Sequence, residues 1–219
     1  MIILGHRGAR RAWPENTLDA LRAALDAGAD GVEFDVHLTR DGVAVLHHDP
    51  TLERMTGRSD RIADLAWSDL RALTEPSAAP VVALADVLTA LGPDTTLDIE
   101  IKAPGAERVA ADLLQSHPQP ERVALSSFDP AILASLRALG SPITRWLNSP
   151  ELSPATIDRA VKLEVTAIVV PVEEVTPRGA RLAQAAGLRV GCWGFDDADR
   201  VGWLRETGCD IAIPDLPWT

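Results

Sequence analysis

Short runs of β-branched and aliphatic residues alternate with stretches in which apolar residues recur every three or four positions, and this alternation continues almost to the end of the 219-residue chain. The runs predict strands over 2–5, 31–37, 95–101, 122–127, 142–147, 166–171, 189–193 and 210–213. Between them Leu18, Leu21 and Leu25, then Leu133 and Leu136, then Val201 and Leu204 give the intervening segments one apolar face for packing on a sheet. Asp129-Pro130, Ser153-Pro154 and Thr176-Pro177 read as helix starts, a capping side chain followed by a proline that needs no N–H partner. Gly28, Gly92, Gly140, Gly187 and Gly208 read as helix stops. Eight strands separated by amphipathic helices predict an α/β protein, a compact TIM (β/α)8 barrel forming a single domain over 1–219, a length near the lower end for that architecture.

Residues 38–82 break the rhythm. Asp41-Gly42 ahead of the run Val43–Leu46 predicts a hairpin. The segment is expected to form an extended loop after strand 2 that carries His48 back over the catalytic mouth of the barrel. At the other end the sequence stops about where an eighth helix would start, so residues 210–219 are expected to leave an uncovered apolar flank that favours a homodimer.

Strand alternation distributes the charges. In the second strand Val32, Phe34 and Val36 oppose Glu33, Asp35 and His37; in the third, Leu97, Ile99 and Ile101 oppose Asp98, Glu100 and Lys102. Because the apolar sets must meet the helices, Glu33, Asp35, Glu100 and Lys102 face the barrel interior, where unpaired charge costs several kcal/mol per group. One resolution is structural: a Glu100–Lys102 ion pair, with Glu33 and Asp35 taking loop amides. The other is a hard divalent cation on three carboxylates, magnesium or calcium rather than zinc, since no cysteine or histidine cluster accompanies them. His6 and His48 at neighbouring strand ends favour the second, because ionisable groups cluster at active sites. They supply the acid and base that phosphodiester cleavage needs. Arg7, beside a permissive Gly8, is expected to reach phosphate oxygens, and Lys102 to do the same. His37 is expected only to support the site; His47 and His117 are expected to be structural or solvent-facing.

Composition narrows the partners. A net charge of -11 with scattered basic residues disfavours nucleic acid and electrostatic docking on anionic lipid. With no apolar run of spanning length, stable membrane anchoring is not expected. A strand that runs straight into His6 leaves no room for a leader, which predicts a cytoplasmic protein. Cys192 and Cys209, the only cysteines, lack metal-ligand spacing and are expected to be reduced core thiols.

The segments HRGARRAWPENTLDAL, GADGVEFDVHLTRDGVAVLHHDPTLERMTG and LDIEIK resemble the glycerophosphodiester phosphodiesterase family, and the similarity continues more weakly to Pro214-Asp215. The resemblance implies a TIM barrel, a divalent metal on Glu33, Asp35 and Glu100, and a catalytic histidine pair, His6 and His48. It also implies hydrolysis of small-molecule glycerophosphodiesters to glycerol 3-phosphate and an alcohol. In the implied mechanism one histidine, assigned as His6, deprotonates the glycerol 2-hydroxyl, which attacks phosphorus, and His48, oriented by Asp49 or another neighbour, protonates the leaving alkoxide; sequence does not fix which histidine is acid and which is base. Water then opens the cyclic phosphate with the roles reversed. Trp193-Gly194-Phe195-Asp196 departs from the family's usual Trp-Thr-Val-Asn, as Pro214-Asp215 does from Thr-Asp, so the substrate end of the pocket is expected to differ, with Trp193 stacking on glycerol. Two other readings stay open: lysophospholipase D-type activity, with Trp13, Trp67 and Phe128 lining a wide apolar mouth, and a non-catalytic phosphate-ester binder.

Overall fold

The computed structural model describes residues 1–215. Nine strands are found there: β1 (Ile2–His6), β2 (Gly31–Leu38), β3 (Ala44–Leu46), β4 (Thr96–Ile101), β5 (Val123–Ser127), β6 (Thr144–Asn148), β7 (Ala167–Pro171), β8 (Arg189–Trp193) and β9 (Ile211–Ile213). Eight of them run parallel in the order β1-β9-β8-β7-β6-β5-β4-β2, and pairing of β1 with β2 closes the sheet on itself. This is the expected TIM barrel, with each predicted strand present to within two residues at either end. The intervening helices are α1 (Leu18–Asp26), α2 (Glu53–Thr56), α3 (Trp67–Thr74), α4 (Leu84–Leu91), α5 (Ala106–Leu114), α6 (Pro130–Ala138), α7 (Pro154–Leu163), α8 (Pro177–Ala185) and α9 (Ala198–Thr207).

Local chemistry sets the boundaries. Asp129, Ser153 and Thr176 accept backbone N–H groups of Ala131, Thr156 and Gly179 at the starts of α6, α7 and α8, and each is followed by proline. The five predicted stop glycines all have positive φ. Two apolar layers result. Phe34, Val36, Ile99 and Val190 pack outward against helix residues such as Leu133 of α6. Leu4, Trp146, Val169, Ile211 and Ile213 fill the lower barrel, so the lumen is packed beneath its mouth.

The segment after β2 differs from an extended loop. The hairpin is present, with β3 antiparallel to β2 through Val36↔Leu46 and Leu38↔Ala44. Beyond it the chain folds into α2 and α3 over a core of its own, Val45, Leu52, Ile62, Leu70 and Val81. These residues are widely spaced in sequence and show no helical or strand period, so the polar positions between them dominate the pattern. The expected uncovered flank is also corrected. Ile211 and Ala212 are fully buried and Ile213 nearly so, between β1 and β8, which removes the ground on which a homodimer was expected; residues 216–219 lie outside the described residues.

Candidate functional site

At the C-terminal ends of the strands β1, β2, β4, β6 and β8 lies a cavity of about 110 Å³ reached by His6, Arg7, Glu33, His48, Glu100 and Lys102. Every charged residue assigned to the site from the sequence therefore meets in one place, except Asp35, which lies directly beneath with 1% exposure. Register explains the convergence: His6 sits beside Glu33 across β1 and β2, and Asp35 beside Glu100 across β2 and β4.

One ligand oxygen from each of Glu33, Asp35 and Glu100 can be chosen so that all lie within 4.8 Å of one another, a spacing suited to a metal ion. The electrostatics call for one. Four buried carboxylates, counting Asp98, face two half-buried cations, Arg7 and Lys102. Burial, and then the neighbouring carboxylates, hold Glu33 well above the usual range. Burial followed by the Asp35 charge pushes Glu100 up to about 7, and burial pushes Asp98 up to about 8. Asp35 goes the other way. Burial works to raise it, but Arg7 at 3.1 Å and Lys102 at 3.3 Å outweigh burial and keep it ionised. Asn16, which sequence reasoning passed over, clamps Asp35 twice: its Nδ2 donates to Asp35 Oδ2 at 2.9 Å, and its Oδ1 accepts from the Asp35 backbone N–H. Lys102 also donates to Glu100 at 2.7 Å, so the ion pair of the structural reading exists within the carboxylate cluster.

Each histidine is held by a carboxylate through Nδ1, leaving Nε2 as the nitrogen available for proton transfer. His6 Nδ1 and Asp215 Oδ1 are 2.6 Å apart, as are His48 Nδ1 and Asp49 Oδ1. Burial lowers the pKa of both rings, with the aspartates opposing it. Asp49 was expected; Asp215, 209 residues from His6, was read only as a departure at the eighth strand. Its partners Arg10 and Arg11, both at 3.7 Å, help hold Asp215 ionised. Around the mouth an ion-pair chain joins the two sides, from Asp49 to Arg54 to Glu15 to Arg7, with links of 2.6, 2.6 and 2.9 Å. Arg54 holds Asp49 down at about 2 together with His48, although burial opposes this.

Arg7 adopts φ +51, a left-handed conformation, which lets its backbone N–H donate to Glu33 Oε2 at 2.9 Å. Gly8 follows at φ +81, where a Cβ would stand 2.4 Å from the Ala20 backbone of α1; only glycine lets this turn lie on the helix. The Arg7 fork is already engaged by Glu15 and Asp35, so it organises carboxylates as well as facing the cavity. His37 Nε2 contacts the His48 carbonyl at 3.1 Å, a supporting position, and His47 is buried with its Nδ1 on the Asp49 carbonyl. His117 lies away from the cavity and accepts the Gln119 N–H.

The far wall carries Phe128, Asn148 and Trp193. Phe128 and Trp193 meet edge to face at 6.4 Å, and Lys102 Nζ stands 5.8 Å over the Phe128 ring. Of the three residues considered for a wide apolar mouth only Phe128 lines the cavity; Trp67 packs on the small core after the hairpin, and Trp13 projects into solvent. Asn148 was missed because an amide at the end of a strand that also carries Thr144 and Arg145 has no chemical signature by itself.

Residues 6–219 match the model of the Glycerophosphoryl diester phosphodiesterase family. The chain belongs to this family. It is thus an enzyme, a phosphoric diester hydrolase. It is 29% identical to the probable glycerophosphodiester phosphodiesterase 2 of Mycobacterium tuberculosis, over 98% of this chain and 87% of that protein. A glycerophosphodiester phosphodiesterase of Thermotoga maritima superposes with a TM-score of 0.85 at 28% identity, over 98% of this chain and 94% of the other. A phosphodiesterase of Oleispira antarctica, whose structure holds the product sn-glycerol-3-phosphate, superposes with a TM-score of 0.90 at 25% identity, covering 99% and 94%. No helix among the described residues is long and apolar enough to cross a membrane.

Proposed function

We propose that this protein hydrolyses glycerophosphodiesters to glycerol 3-phosphate and an alcohol, with His6 and His48 as the proton-transfer pair. The observation that carries the reading is the meeting of two imidazoles, each with Nδ1 on an aspartate, in one cavity with Glu33 and Glu100. His6 Nε2 takes the proton of the glycerol 2-hydroxyl as that oxygen attacks phosphorus and displaces the alcohol, which His48 protonates. Water opens the resulting cyclic phosphate with the two histidines exchanging roles, a sequence that returns each to its starting state. Glu33, Asp35 and Glu100 suit magnesium or calcium, all three being hard oxygen donors. Such an ion would neutralise phosphodiester charge and favour the alkoxide form of the attacking hydroxyl. Arg7 and Lys102 add positive charge where the phosphoryl oxygens develop negative charge.

Lysophospholipids are disfavoured by the small cavity and by the positions of Trp13 and Trp67, and two imidazoles exceed what a mere binder needs. The free buried cysteines suit the reducing cytoplasm, where we assign the protein. The test is release of glycerol 3-phosphate from glycerophosphocholine by metal-stripped protein as magnesium, calcium or manganese is restored. Release that needs added metal is expected; a folded protein inactive with all three metals overturns the reading.

A further inference from the structure

The cavity has two unlike walls. Arg7, Lys102 and the carboxylates on β1, β2 and β4 supply everything a phosphate and a cation require, whereas the opposite wall, on β6 to β9, is formed by Asn148, Val169, Trp193 and Ile213. Val169 and Ile213 demonstrate that aliphatic side chains fill this wall well, so barrel packing does not demand an amide at 148. Asn148 is nonetheless polar and only 6% exposed. Its Oδ1 has no hydrogen-bond partner among the described residues, and neither has the buried Nε1 of Trp193. A buried acceptor and a buried donor left open on one cavity wall are costly unless a ligand satisfies both.

We infer that Asn148 and Trp193 form a hydroxyl-recognition subsite for the alcohol portion of the substrate, the hydroxyl donating to Asn148 Oδ1 and accepting from Trp193 Nε1. A hydroxyl is the small neutral group that does both. A trimethylammonium group offers neither, and a protonated amine leaves the indole N–H unpaired. The cavity, about 110 Å³, is on the scale of one that holds a benzene-sized ligand (~150 Å³), which suits a three-carbon polyol and not an acyl chain. Trp193 thereby acts through its N–H as well as its ring. The inference rests on the phosphodiesterase reading and names what that site selects. The hydroxyl can come from the terminal carbon of the glycerol moiety or from the leaving alcohol, and the two sources separate experimentally.

The experiment measures kcat/KM in magnesium for glycerophosphocholine, for its 2-hydroxypropyl analogue lacking the terminal hydroxyl, and for glycerophosphoglycerol, whose leaving group carries hydroxyls. In parallel, calorimetry compares binding of glycerol 3-phosphate, 2-hydroxypropyl phosphate and free glycerol. The wild type is expected to favour the hydroxyl-bearing member of one comparison by roughly 10- to 100-fold, because a site built to bond a hydroxyl rejects the analogue without it. Asn148→Leu and, independently, Trp193→Phe are expected to shrink that ratio to about threefold or less. Loss of preference between the first two substrates assigns the subsite to glycerol, and loss between the first and third assigns it to the leaving alcohol. A wild-type ratio near one in both comparisons, or a ratio that survives in both variants, overturns the inference. Absence of turnover on every diester defeats the phosphodiesterase reading instead, and the calorimetric ratio for the two phosphates, with glycerol for the leaving alcohol, then decides the subsite alone.

Discussion

Replacing Asp215 by asparagine removes the carboxylate that holds His6 while preserving its shape. The bond is 2.6 Å long and its side chains are 9% and 14% exposed, so it is a largely desolvated, charge-assisted hydrogen bond once His6 carries a proton. Such bonds contribute about 1.5–3 kcal/mol. If that stabilisation is realised as His6 takes the proton in the transition state, kcat/KM falls by roughly 10- to 150-fold, at 1.4 kcal/mol per decade. The direction on the pH axis also follows. Burial depresses the His6 pKa and Asp215 is the largest influence raising it, so its loss lets the pKa fall further. A base of lower pKa stays unprotonated to lower pH, so the acidic limb of the kcat/KM profile moves down even as the plateau drops. The assay is a pH–rate profile on glycerophosphocholine, with circular dichroism as the folding control. A plateau within twofold of the wild type, or an acidic limb displaced upward, refutes Asp215 as the residue that positions and supports His6.

The metal-free protein should lose stability as pH rises above 7. Glu100 near 7, Asp98 near 8 and the raised Glu33 keep protons in the folded state that the unfolded chain has released, a contribution present below the ordinary carboxylate pKa and lost through these raised values; the depressed histidines are neutral in both states by then. Urea titrations between pH 7 and 8.5 with chelator should fall with pH and flatten with magnesium, and a flat chelator series contradicts the charge excess. Asn16→Ala should weaken magnesium binding by roughly 10- to 100-fold in calorimetry, the usual effect of releasing a ligand's supporting partner, and unchanged affinity removes Asp35 from the ligand set. Gly8→Ala should cost about 2 kcal/mol or more in urea denaturation, from positive φ and collision with the α1 backbone; a change under ~0.5 kcal/mol contradicts the tight approach.

Most of the barrel was legible because its signals are local. A cap is read within three residues and inward placement of Glu33, Asp35 and Glu100 within one strand, and their convergence follows once parallel register is assumed. Asp49 was legible for the same reason, being adjacent to His48. Asp215 and Asn148 were not, since each gains its meaning only from closure of the sheet, which brings together residues separated by most of the chain. The small core under α2 and α3 escaped because it is assembled from single apolar residues far apart in a polar segment. The buried flank at β9 shows the converse error: a strand expected to leave a flank uncovered for want of a following helix has Ile211 and Ile213 in the lumen cluster and Ala212 in the main core.

The distance along the chain between His6 and Asp215 has a consequence for synthesis. The imidazole is made well before the carboxylate that steers it, which follows 209 residues later in the chain. Synthesis as far as β4 supplies the carboxylates of β2 and β4, but His6 lacks its partner until β9 slots between β8 and β1. The carboxylate-held histidine pair is thereby tied to synthesis through Asp215, and products of translation interrupted between β4 and β9 carry the acidic cluster without it.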